Sequence, residues 1–277
     1  IKGPLAVQVY SMAALLRAGV RPRRDIVFSG VVQEEIGGAG AKHWVENLDY
    51  PVDLVVLGEP SDNKIALGHR GIAQMWVQFN GRSAHASVPE NAVNPNYALA
   101  RFIQALSTAK ERLSAHELLG PTTVSPTIIE VDTTSTNVTP AWARVCLDFR
   151  TASESLNSLR DFVQQIAGDQ PILLEDAMCT PPKLFPYSDE IIYGYYTPPT
   201  EPKLQRTQAL IGQGMGREAA LSRYQFATDG RHFVPYNLTI IGYGPSEESQ
   251  AHVVDEYISI TKMAESLRGH VVLISEY

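Results

Sequence analysis

The order of the secondary-structure signals constrains this chain more than any single residue. An amphipathic helix is predicted over residues 5–19 (LAVQVYSMAALLRAG), with Pro4 in its first turn and Gly19 at its end. The run DIVFSGVVQ at 25–33 is β-branched and almost continuously apolar, which predicts a strand buried on both faces. EEIGGAGAKHWVEN predicts a glycine turn and a second helix, and DLVVL at 53–57 a second buried strand ending at Gly58-Glu59-Pro60. Helix–strand–helix–strand order predicts an α/β domain, a mostly parallel sheet with helices on both faces. Ligands bind at the carboxyl ends of the strands in such sheets, and Glu34, Glu35 and Glu59 follow those ends directly.

The pattern changes near His69. GIAQMWVQFNG alternates like a half-exposed strand, and a helix is predicted from Pro95 to about Leu113. TTVSPTIIEVD and ARVCLDFRTA read as strands, SLNSLRDFVQQIA as a helix capped by Ser153 or Ser155, and PILLEDAM as a last strand. This β-α-β-β-α-β order is a ferredoxin-like α+β unit. It predicts a lid domain over 69–178, inserted into an α/β domain made of 1–68 and 179–277. Pro-rich stretches at Thr180-Pro181-Pro182 and Thr197-Pro198-Pro199 mark the return. A helix over 201–214, a strand over 237–244 and a closing helix over 255–274 follow. The segment GIAQMWVQFNG is expected at the edge of the lid sheet, with Ile72, Trp76 and Val77 near its exposed end. A bare edge invites pairing, so a two-fold homodimer through that strand is expected.

Composition narrows the partners. With 30 acidic against 23 basic residues, the net charge of −7 argues against nucleic acid or an anionic membrane. No apolar run approaches the roughly 18 residues of a membrane span, and no signal peptide is in view, so a cytoplasmic location is expected. Two cysteines, Cys146 and Cys179, make no disulfide framework and read as buried reduced thiols.

Several residues could carry chemistry. At a strand end, one of the adjacent acids Glu34 and Glu35 can bind a metal while the other takes a proton from an activated water. The glycines that follow suit close backbone approach. Glu59 at a strand end before Pro60 is a hard-ligand candidate for zinc, and His252 lies in a loop between a strand and a helix. His85 sits in the polar loop GRSAHASVPENAVNP. Arg231, in ATDGRHF, offers a planar fork matched to a carboxylate. His232, His43, His116 and His270 read as ordinary structural or surface histidines.

Each signal is weak alone. Together and in order, VVQEEIGGAGA, VVLGEPSD, GRSAHASVPENAVNP, NVTPAWARVCLDFR, ATDGRHF and QAHVVDEYI resemble one family across essentially the whole chain. It is the co-catalytic zinc family of acetylornithine deacetylases, succinyl-diaminopimelate desuccinylases, aminoacylases and glutamate carboxypeptidases. The resemblance implies a zinc-aminopeptidase-like domain with an inserted lid. It also implies hydrolysis of an amide in an N-acyl amino acid or small peptide bearing a free carboxylate. By position it implies Glu34 as general base, Glu35 and His252 as ligands of one zinc, and Glu59 as a ligand of the other. Cobalt or manganese are alternative metals. It implies His85 as the lid histidine that stabilises the oxyanion, in its own or a partner's site, and Asn137 and Arg231 as holders of the substrate carboxylate. Asp148 and Arg150 organise the lid in this scheme. The family also has an upstream His-x-Asp motif and an Asp bridging both metals, before a Lys-Gly-Pro run like Lys2-Gly3-Pro4. Those ligands are not in this sequence, so this polypeptide alone is expected to bind zinc poorly and be nearly inactive. The alternative is a non-catalytic carboxylate-binding or dimerisation module.

Overall fold

The structure is a computed structural model that describes residues 1–176 and 194–277. Cys179 and the Thr180-Pro181-Pro182 stretch lie outside the described residues. Two compact units are present: one comprises Ile1–Arg70 and Gly194–Tyr277, and the other begins at Gly71 and is described to Asp176. Among the described residues, no helix is long and apolar enough to cross a membrane.

The chain opens with α1 (Lys2–Arg17), which buries Val7, Ser11 and Leu15. A short 3-10 turn (Glu34–Ile36) leads to α2 (Ala39–Glu46). Three short strands follow: β1 (Val55–Leu57), β2 (Ile65–Ala66) and β3 (Gly68–His69).

The second unit contains β4 (Gly71–Asn80), β5 (Ala84–His85), α3 (Pro95–Ala109), β6 (Ala115–His116) and β7 (Gly120–Pro121). It continues with β8 (Thr123–Val131), β9 (Val138–Thr139), β10 (Trp142–Thr151), α4 (Leu156–Ala167) and β11 (Ile172–Asp176). Its antiparallel sheet has the order β11-β4-β10-β8. Strict alternation on β4 sends Ala73, Met75, Val77 and Phe79 inward, where they pack with Leu147, Phe149, Leu99, Phe102, Leu159 and Val163. Ser155 caps α4 through a reciprocal capping box with Ser158. This order corrects the expectation for residues 71–80. β4 is paired on both sides, by β10 and β11, and Val77 is fully buried. The edges are β11 and β8, and on β8 Ile128 and Ile129 are exposed and Pro126 stands at a register shift. Proline lacks the N–H that an interior strand donates, so an edge is where it is tolerated.

On return, β12 (Tyr195–Tyr196) pairs antiparallel with β3. Then come α5 (Pro202–Met215), β13 (Leu221–Ser222), a 3-10 segment (Asp229–Tyr236), β14 (Ile240–Gly242) and α6 (Ile260–Glu276). The sheet of this unit runs β1-β14-β2-β13, with two parallel pairings and one antiparallel. The predicted buried strand at 25–33 does not form. Ile26, Val27, Phe28, Val31 and Val32 are exposed there. A strand needs partners for its N–H and C=O groups. No described segment pairs with 25–33, and the outer edge of β1 has no partner among the described residues.

Candidate active site

In the first unit, the acids predicted from the strand ends are held on a tight turn. Gln33 takes a left-handed conformation (φ 64°), as do Gly37 and Gly38 (φ 116° and 71°), and the Gly38 N–H closes the turn on the Gln33 carbonyl at 2.7 Å. Only glycine adopts φ 116° without strain. The turn separates the two neighbours. Glu34 is half-buried, whereas the Glu35 side chain is 71% exposed and lies 3.2 Å from His252 Nε2. His252 has φ 61°, an uncommon conformation outside glycine, held by the irregular segment before α6.

Electrostatics places Glu34 with four other charged groups. Its carboxyl is pushed up to about 7, first by burial and then by Asp229 and Glu35, with Arg231 and His252 opposing them. Glu59, past the end of β1, is pushed up to about 8, first by burial and then by Glu34. Asp229 rises to about 6 through burial, with Arg231 pulling the other way.

Asp229 escaped the sequence reading. It is 6% exposed, and neither carboxylate oxygen has a hydrogen-bond partner among the described residues. A buried acid without a donor is costly, which marks it as part of the polar site. Its only sequence signal was its place beside Arg231. Arg231 is 8% exposed, and its Nε likewise has no partner among the described residues. His232, read as ordinary, is buried. Its Nε2 is 3.1 Å from the Gly37 carbonyl and ties the Arg231 segment to the Glu34 turn. Burial lowers its imidazole to about 4, so it stays neutral and donates.

The donor set is partial for a metal. A carboxylate oxygen and an imidazole nitrogen 3.2 Å apart match two ligands about 2.0 Å from one tetrahedral ion, which sit roughly 3.3 Å from each other. No group of three or more such donors is present among the described residues, and Glu59 does not join the pair. These residues by themselves therefore do not make a metal site.

In the second unit, pairing of β5 with β9 brings His85 and Asn137 together, with His85 Nε2 3.3 Å from Asn137 Nδ2. The other ring nitrogen lies 2.7 Å from the Ser87 hydroxyl, and the Ser135 hydroxyl donates to Asn137 Oδ1 at 2.6 Å. Asp148 accepts from Gln74 on β4 and from Arg150, both on the sheet. Cys146 is a buried free thiol.

Known proteins resemble this chain in sequence and fold. Residues 67–171 match the peptidase dimerisation domain of the M20 type. An M20 peptidase domain-containing protein of Schizosaccharomyces pombe is 24% identical over 97% of this chain, which spans 60% of that protein's length. A putative [LysW]-lysine/[LysW]-ornithine hydrolase of Pyrobaculum aerophilum is 28% identical, covering 99% of this chain and 72% of the relative. Among solved structures, the aminopeptidase PepT of Bacillus cereus matches with TM-score 0.74 at 16% identity, over 99% of this chain and 70% of PepT. The chain is thus similar to M20 peptidases over nearly its whole length, and residues 67–171 match their dimerisation domain.

Proposed function

We propose that this polypeptide is part of a metal-dependent hydrolase that cleaves the amide of an N-acyl amino acid or small peptide with a free carboxylate. One observation carries the reading: a half-buried Glu34, its carboxyl near 7, beside the exposed Glu35–His252 pair and a buried Arg231 with an unpaired donor. A base poised near neutral pH suits proton transfer. Water oxygen bonds to the scissile carbonyl carbon while Glu34 takes the water proton. Glu34 returns that proton to the amine nitrogen as the C–N bond breaks. Arg231 and Asn137 hold the substrate carboxylate, and His85 donates to the oxyanion. Glu35 and His252 hold one metal ion and Glu59 contributes to a second, zinc being the first choice. The metal supplies activation of the water. The remaining ligands come from outside the described residues. The protein works as a homodimer joined through the β8 edge.

The test is Glu34→Ala in a polypeptide that binds metal and turns over an N-acyl amino acid. Turnover falls by about 10²–10⁴-fold, while metal content is unchanged. Metal lost together with activity would make Glu34 a ligand and reverse the two glutamates. A second reading, a carboxylate-binding or dimerisation module without catalysis, is favoured by the partial donor set. A zinc titration with an amidase assay separates the two.

A further inference from the structure

His69 is a fully buried polar side chain with no part in the chemistry so far described. It sits on β3, against β12, with the Tyr195 ring edge-on at 4.9 Å. A Cβ on the preceding Gly68 would lie 2.0 Å from the Tyr195 carbonyl, so the strand can approach this closely only with glycine there.

Both ring nitrogens have backbone partners, and these define the tautomer. The Thr228 N–H donates to Nε2 at 3.0 Å. A backbone N–H can only donate, so Nε2 is the acceptor and Nδ1 carries the proton. Nδ1–H then donates to the Arg70 carbonyl at 2.9 Å. The 3.2 Å approach of Nε2 to the Thr228 carbonyl is two acceptors in proximity. Burial, with help from Arg231, lowers the imidazole to about 4, so the ring stays in this neutral form.

Thr228 is the anchor of the Arg231 turn. It is fully buried, its hydroxyl accepts the Gly230 N–H at 3.2 Å, and its carbonyl accepts the Arg231 N–H at 3.5 Å. Two hydrogen bonds at the start of this 3-10 segment therefore run through Thr228, and the Thr228 N–H runs to His69. We infer that His69 is the positioning residue that holds the Thr228–Arg231 turn, and through it the Arg231 guanidinium, in the geometry that receives a substrate carboxylate. This rests on Arg231 being the carboxylate-holding residue.

Three variants of the full chain test it: His69→Gln, His69→Asn and Arg231→Lys. Gln can bring a carbonyl oxygen to the place of Nε2 and accept from Thr228. Asn is too short to do so but still donates to Arg70. The first readout is amide hydrogen exchange, which needs no activity. In His69→Asn, exchange across residues 226–233 is expected to rise at least tenfold while α6 is unchanged, and His69→Gln is expected to stay near wild type. The second is calorimetric binding of an N-acetyl amino acid and of its carboxamide. The wild type is expected to prefer the acid, Arg231→Lys to lose the preference, His69→Asn to lose it about tenfold, and His69→Gln to keep most of it. Equal binding of acid and amide by wild type and Arg231→Lys refutes the Arg231 assignment, and the role of its turn with it. A preference that His69→Asn keeps in full, or unchanged exchange over 226–233, overturns the role of His69 and leaves Arg231 standing.

Discussion

Glu59→Gln should make the metal-free protein more stable while removing a proposed metal ligand. The Glu59 carboxyl rises from 4.5 to about 8 because burial, then Glu34, disfavours its charge. The folded state therefore keeps it protonated at pH 7, whereas the unfolded chain ionises it. Because the folded value lies above the unfolded one, wild-type stability falls as pH rises from 4.5 through 8. The cost reaches up to about 3 kcal/mol at pH 7 and up to about 5 kcal/mol above pH 8. Glutamine has nearly the same volume and cannot ionise, so the variant escapes this cost. Denaturant unfolding with a chelator at pH 4.5, 7 and 8.5 measures the difference. It should be near zero at pH 4.5, a few kcal/mol in favour of Gln at pH 7, and larger at pH 8.5. A difference that does not change with pH, or that favours Glu, would show that the carboxylate is solvated or paired in the fold, and would refute the reasoning. Retention of a destabilising acid at a strand end is what a functional site requires.

Three further outcomes follow from the same structure. Arg231→Lys should raise KM for carboxylate substrates more than tenfold in the active enzyme, since Lys lacks the fork; steady-state kinetics against acid and amide substrates checks it. Ile129→Lys on the exposed β8 edge should shift the protein from dimer to monomer in light scattering at micromolar concentration, because a charge on the edge blocks pairing. His270 is buried and lowered to about 4 by burial, so its contribution is intact above pH 6.5 and lost as pH falls towards 4. Its Nε2 has no partner among the described residues, so His270→Leu should flatten the acid loss by about 3 kcal/mol between those pH values in denaturant titrations.

Local pattern determined much of this protein from the sequence alone. Period-2 alternation in GIAQMWVQFNG marked β4 as a strand, Ser153 or Ser155 marked the start of α4, where Ser155 proved to be the cap, and Pro202 with Gly216 bounds α5 as helix termini usually are. Such signals are carried by neighbours in the chain, so they survive without any knowledge of packing. The pair Glu35–His252 was legible only through the family resemblance, because 216 residues lie between them and only the fold sets them 3.2 Å apart. Strand order was likewise hidden. Nothing in the sequence of β4 says that β11 pairs on its far side, which is why the sheet edges proved to be β11 and β8. The apolar run 25–33 had the composition of a strand and lacked a partner, and strand formation depends on the neighbour as much as on the residues themselves. Asp229, His69 and His232 gave no periodic or compositional signal. Their significance lies in burial and in which backbone group each polar atom meets, and tertiary structure alone decides both.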